Sequence, residues 1–154
     1  KPSKRMMQFM MEANVGDDVF QDDPTVNLFE QKTANMFGKE AGLFCPSGAM
    51  TNQIALMVYL KPGDEVICSS EAHIYNYEGG GIARNSGASV RLINRKSGIV
   101  YLNEIIENIN PDDIHYPKTK LVALPLTSRD DCDGDGAVEG LGALVRRGGT
   151  TSSC

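Results

Sequence analysis

Between residues 41 and 68 the chain passes through segments that leave few folds open to it. A short apolar run, Ala41 to Cys45, is closed by Pro46; apolar residues then recur at Met50, Ile54, Met57 and Val58; a Lys61-Pro-Gly-Asp64 turn follows, and a second apolar run covers Glu65 to Cys68. Recurrence every three to four residues predicts a helix from about Ser47 to Tyr59, and the flanking runs read as short buried strands. Strand, helix, strand is a parallel crossover unit, right-handed by the usual rule. Ser89 to Ile93 and Leu121 to Leu124 supply two more short strands, with helical spacing over Leu102 to Ile109 between them. The predicted fold class is α/β: a mostly parallel sheet with flanking helices.

A further helix is predicted after Asp23-Pro24. Asp23 can cap the unpaired N–H groups, Pro24 suits the first helical position, and Gly38 can take the left-handed conformation that closes a helix. With 154 residues, 41% of them hydrophobic, the chain is long enough to bury one domain's core. Fifteen basic against twenty acidic side chains give a net charge of −5, which argues against a nucleic-acid or anionic-membrane partner. The longest apolar run, Ile54 to Leu60, is too short to span a bilayer. The opening Lys1-Pro-Ser-Lys-Arg has no apolar segment behind it and lacks an initiating methionine, so Lys1 is expected not to be the natural start. Cys45, Cys68, Cys132 and Cys154 are isolated; the first two, in apolar runs, read as small buried hydrophobes. That usage gives no metal site and points to a reducing, cytoplasmic compartment. After Leu124 the chain turns rich in Gly, Asp, Arg and Ser, so 1–125 is expected to be folded and 126–154 a poorly folding tail.

Several residues could carry chemistry. Ser47-Gly48 lies between a strand-like run and a helix start, where unpaired N–H groups and the lack of a side chain would admit a phosphate. A plain N-cap serine with a tight turn gives the same pattern. His73 follows the run Glu65–Cys68, and ligands in open α/β sheets gather at the carboxyl ends of strands. It also reads as a surface or satisfied core histidine. Tyr75, Tyr77 and Glu78 crowd the same stretch before Gly79-Gly80-Gly81, which is either a flexible loop or a close-packed helix entry. His115 sits in Asp112-Asp-Ile-His-Tyr-Pro-Lys118, where two nearby carboxylates would favour its charged form. A solvated loop accounts for it equally.

In order and spacing these segments resemble the threonine aldolases. The resemblance rests on Val15-Gly-Asp-Asp-Val-Phe20, Asp22-Asp-Pro-Thr-Val-Asn27, Phe37 to Met50, Pro62-Gly-Asp-Glu-Val-Ile67, His73-Ile-Tyr-Asn-Tyr-Glu78 and Asn110-Pro-Asp-Asp-Ile-His115, and runs from Lys1 to about Leu124. It implies the N-terminal part of the large domain of a fold type I enzyme dependent on pyridoxal 5′-phosphate. Such an enzyme, a homotetramer, would cleave L-threonine or L-allo-threonine to glycine and acetaldehyde, its partner a small amino-acid substrate. By position, Ser47, Gly48 and Ala49 would hold the phosphate, His73 would stack on the cofactor ring, and Tyr77 and Glu78 would lie nearby. His115 would act on the substrate hydroxyl.

Three departures qualify the resemblance. Ala49 stands where the family commonly has threonine, and Phe20-Gln21 where it commonly has Tyr-Gly. After Leu124 a Glu-Asn-Thr segment is expected, and Pro125-Leu-Thr-Ser-Arg129 stands instead, which suggests a frameshift. No Ser-x-Ser-Lys supplies the Schiff-base lysine, and Lys118 and Lys120 read as surface lysines, so the chain as printed is expected to be inactive. Two other functions fit: a β-eliminating amino-acid lyase, and a non-catalytic truncated paralogue.

Overall fold

The computed structural model describes residues 1–94, 100–125 and 141–142. Two compact units divide the chain, Lys1–Pro46 and Ser47–Cys154.

The first unit holds helix α1 (Lys4–Glu12), a 3-10 turn (Asp18–Phe20) and helix α2 (Pro24–Met36). The α1 helix, capped by the Ser3 hydroxyl, has no counterpart in the sequence reading. The α2 helix starts where Asp23-Pro24 predicts, and Gly38 closes it at φ 61°. One oxygen of Asp23 accepts from the Thr25 and Val26 N–H groups, both at 2.9 Å, and the other accepts from Gly16 N–H at 3.1 Å. Thr25 Oγ1 donates to the Asn14 carbonyl at 2.6 Å. A side chain at position 16 would run into the Asp22 carbonyl, so the chain before α2 can close onto Asp23 only with glycine there.

The Ala41–Cys45 strand is not formed. The segment has no ladder partner among the described residues, and Cys45 is half-buried rather than buried. Its backbone is taken up by α2 instead: Phe44 N–H donates to Glu30 Oε1 at 2.6 Å, and the Phe44 ring meets Phe29 edge-on at 6.0 Å. A short apolar run fits a strand only if a sheet edge is offered to it, and here a helix side chain satisfies the backbone first.

The second unit contains α3 (Gly48–Tyr59), β1 (Asp64–Ser69), α4 (His73–Asn76), a π-helical turn (Ile82–Ser86), β2 (Ser89–Ile93), α5 (Leu102–Asn108), β3 (Lys118–Pro125) and β4 (Leu141–Gly142). The sheet order is β2-β1-β3-β4, with β1 parallel to both β2 and β3 and β4 antiparallel to β3. The fold is thus α/β with a parallel sheet and flanking helices. The crossovers are β1 to β2 through α4 and the π-helical turn, and β2 to β3 through α5, not the one expected from residue 41. Side chains alternate along β1: Val66 and Cys68 join Leu56, Leu60, Ile74, Ile82, Leu121 and Ala123 on one face, and Ile67 joins Ile93 and Val122 on the other, beside Ile105 of α5 and Ile109 just past its end. The α3 helix stands where the spacing predicts it; it buries Asn52 and Leu56, with Leu60 buried just past its end, while Met50, Met57 and Val58 are exposed. Of the expected tail, 126–140 and 143–154 lie outside the described residues, as does the cause of the sequence change after Leu124; Leu141–Gly142 pair with Leu124–Pro125.

The backbone N–H groups of Val26, Gly16 and Thr25 hold the Asp23 carboxyl below its ordinary value. A carboxylate depressed in the folded state adds stability that is present above the unfolded pKa, about 3.9, and lost as pH falls through the lower folded value. Asp23→Asn keeps a capping oxygen without the charge. The stability difference between wild type and Asp23→Asn, measured by urea denaturation, should therefore shrink as pH falls from about 6 to about 3. A difference that stays constant would show that Asp23 does not carry it. Gln21, at φ 59°, is the one positive-φ residue other than glycine among the described residues. Left-handed geometry costs an L-residue about 1–2 kcal/mol, partly offset by the entropy glycine loses on folding. Gln21→Gly should stabilise the chain by about 0.5–1 kcal/mol in the same assay.

Candidate active site

The head of α3 is built by Ser47. Extended at φ −151°, it turns its hydroxyl oxygen to accept the Met50 N–H at 3.2 Å, while its carbonyl accepts Thr51 N–H. Gly48 and Ala49 are then the first two helical residues, whose N–H groups have no partner within the helix. A Cβ at Gly48 would meet nothing within 4 Å, so a side chain is not excluded there by crowding. A four-residue connection, Leu60 to Gly63, turns the chain from α3 into β1, and α3 packs back along the strand. The head of α3 therefore lies at the carboxyl edge of the sheet, with its partial positive charge directed there. Two backbone donors and a hydroxyl with its own proton to give are groups that can hydrogen-bond a phosphate.

His73 opens α4 at the same edge, just past the end of β1. Its ring is 39% exposed, and its Nδ1 lies 3.1 Å from Glu78 Oε1; the Glu78 side chain is 1% exposed. The same Oε1 accepts from Asn52 Nδ2 at 2.8 Å, and Oε2 accepts from Gln53 Nε2 at 2.5 Å. Asn52 and Gln53 lie one turn along α3 from Ala49, so one buried carboxylate joins His73 to the first turns of α3. Gln53 Oε1 accepts in turn from Asn85 Nδ2 at 3.0 Å. The Tyr77 and His73 ring centroids are 5.4 Å apart, tilted at 45°, with Tyr77 largely exposed. The glycine run divides: Gly79 and Gly80, at φ of 62° and 69°, are exposed with open space at the Cβ, whereas Gly81 is buried and a Cβ there would overlap the Gln53 carboxamide.

The chain thus brings Ser47, Gly48, Ala49, His73 and Tyr77 to one edge, with Glu78 beneath them. Sequence reading passed over Asn52 and Gln53. Two adjacent amides inside the apolar helix Met50–Tyr59 were the available signal, because a buried amide needs a partner.

His115 is placed elsewhere. It sits three residues before β3, at the amino edge of the sheet, its side chain 80% exposed and its Nδ1 2.7 Å from Asp113 Oδ1. The His115 N–H and side-chain hydrogen bonds hold the Asp113 carboxyl below its ordinary value. The six residues of β1 separate the two edges by about 20 Å, so the chain does not bring its two histidines together. That edge has its own buried carboxylate. Glu65 Oε1 accepts from Arg91 Nε at 3.1 Å, Asn110 Nδ2 at 2.9 Å and Thr119 Oγ1 at 3.1 Å. Among the described residues no group of three or more His, Cys, Asp or Glu is placed to hold a metal, and no helix is long and apolar enough to cross a membrane.

Comparison with known proteins places residues 1–132 in a match to the family described as beta-eliminating lyase. The chain is 41% identical over 128 residues to the low specificity L-threonine aldolase of Escherichia coli strain K12, covering 82% of this chain and 38% of that protein. It is 36% identical over 156 aligned residues to low-specificity L-threonine aldolase 1 of Arabidopsis thaliana, covering 97% of this chain, so that alignment takes in residues beyond 126, and 44% of the relative. The chain spans less than half the length of either relative. A solved structure of Leishmania major threonine aldolase superposes with a TM-score of 0.50 at 26% identity, over 54% of this chain and 24% of the other.

Beneath the site, Cys68 on β1 is fully buried, and burial pushes its thiol up to about 12. The thiolate is the reactive form. Iodoacetamide at about pH 8 should modify Cys45 in native protein and leave Cys68 unmodified until denaturant is added, as read by peptide mass mapping. Labelling of Cys68 before Cys45 would contradict the burial.

Proposed function

This chain belongs to the beta-eliminating lyase family, and we propose that it supplies the phosphate- and ring-binding part of a pyridoxal 5′-phosphate enzyme of fold type I that cleaves L-threonine or L-allo-threonine to glycine and acetaldehyde. The observation that supports this most is the tie between the head of α3 and His73 through Glu78. It sets phosphate donors and an exposed imidazole on one edge, as a phosphorylated aromatic ligand needs.

In this reading Ser47 gives its hydroxyl proton to the phosphate while its oxygen still accepts Met50 N–H, and Gly48 and Ala49 give backbone N–H groups. Ala49 brings no hydroxyl, so Ser47 is the side-chain donor of the cradle. His73 lays its ring on the cofactor, with Tyr77 beside it. When bound, pyridoxal phosphate supplies an electron sink for the carbanion left as Cα–Cβ cleaves. His115 takes the proton of the substrate hydroxyl; standing at the far edge, it reaches the site from a second copy, which suits a homotetramer. The free Cys45 and Cys68 suit a cytoplasmic setting. A β-eliminating lyase is the second reading, favoured by the description of the matched family.

The test uses the full-length protein that contains this segment. Supplied with L-threonine, it should release acetaldehyde and glycine; ammonia release in their place would favour the second reading. Ser47→Ala and His73→Ala should each lower retention of pyridoxal phosphate, by about tenfold for His73, followed by visible absorbance on dialysis. Ser47→Ala should also cost about 1 kcal/mol of stability through the lost cap. Retention unchanged in both variants would remove the cradle and the stacking together.

A further inference from the structure

We propose that Glu78 is the positioning residue of His73, fixing which imidazole nitrogen carries the proton, and that Asn52, Gln53 and Gly81 hold Glu78 in place for that task. The proposal deepens the reading of His73 as a cofactor-facing ring and rests on it for its relevance to catalysis.

Glu78 is enclosed, at 1% side-chain exposure, and its donors are Asn52 Nδ2 and His73 Nδ1 on one oxygen and Gln53 Nε2 on the other. A carboxylate only accepts, so the ring nitrogen facing it must be the donor. The proton of the neutral ring is thereby set on Nδ1, and Nε2, turned away from Glu78, is left as an acceptor. Free imidazole side chains favour the opposite tautomer, so the arrangement changes what the site offers. It also fixes the ring plane, since rotation about the Cβ–Cγ bond would break the contact. Two of the three donors come from α3, one turn from Ala49, so the ring's orientation is referred to the same helix that would hold the phosphate.

Gly81 is the outer support. Its backbone is ordinary right-handed helix, so its lack of a side chain is a matter of space rather than conformation. The Gln53 carboxamide occupies that space, held between Glu78 and Asn85. A methyl at position 81 would displace Gln53 and loosen Glu78 without removing a polar group.

The experiment is nitrogen NMR of histidine-labelled full-length protein freed of cofactor, with the His73 signal identified by its absence in His73→Asn. Wild type should show pyrrole-type Nδ1 and pyridine-type Nε2 in the neutral form. Glu78→Leu should convert His73 to a mixture dominated by the Nε2–H tautomer, and Gly81→Ala should shift it part of the way. A wild-type ring already in the Nε2–H form, or a folded Glu78→Leu variant that keeps Nδ1–H, would overturn the proposal. If Glu78→Leu does not fold, Gly81→Ala decides: no shift there overturns it as well. The readout does not depend on the cofactor. A tautomer shift with unchanged pyridoxal phosphate retention in His73→Ala would keep the role of Glu78 while ending the stacking reading.

Discussion

The sheet-bearing unit depends on β1. Both edges of this strand are occupied by parallel neighbours and all six of its residues are buried, so its polar groups and side chains are committed in every direction. Reversing its alternation would exchange Val66 and Cys68 with Ile67 and place each in the wrong cluster. Its direction also sets where the site can form. Parallel pairing puts the carboxyl ends of β1, β2 and β3 together, so the residues after β1 and the head of the helix before it converge. The site is a consequence of strand direction before it is a consequence of any residue in it.

Two buried carboxylates stand at opposite ends of this strand, and their partners distinguish them. Glu65 is met by the guanidinium of Arg91, with Asn110 and Thr119 completing its shell. It ties β1 to β2, to β3 and to the loop before β3, with the pairing that lets a charge be buried. The partners of Glu78 are two amides and an imidazole. Amides compensate a buried carboxylate less fully than a guanidinium does, an arrangement that burial alone does not favour. Its neighbours place it between a helix head and a histidine, whereas Glu65 is accounted for by holding strands together.

Local chemistry made much of the fold legible. Asp23-Pro24, Gly38, Ser47 and the Lys61–Asp64 turn each act within a few residues, and the elements they bound stand where the sequence puts them, as do β1, β2, α5 and β3. What failed depended on distant partners. Ala41–Cys45 has strand-like composition, but Glu30 and Phe29 claim it. The spacing of Met50, Met57 and Val58 marks the helix, but the side chains it buries are Asn52 and Leu56. The Glu78 network joins residues 25 and 26 positions apart, beyond the reach of any periodicity.

The two histidines show the same limit in the candidate site. Each follows or precedes a strand-like run by a few residues, and in the sequence their settings look alike. Strand direction separates them: His73 comes after β1 and His115 before β3, so a parallel sheet sends them to opposite edges. Their partners differ accordingly. His73 meets a carboxylate enclosed in the core, which can hold a ring in one orientation. His115 meets Asp113, two residues away in an exposed turn, and a solvent-exposed pair of this kind holds its partners weakly. A ring held that way is free to be claimed by a stronger partner. The different holding of the two rings therefore follows from the order of strand and histidine in the sequence, once the sheet is known to be parallel.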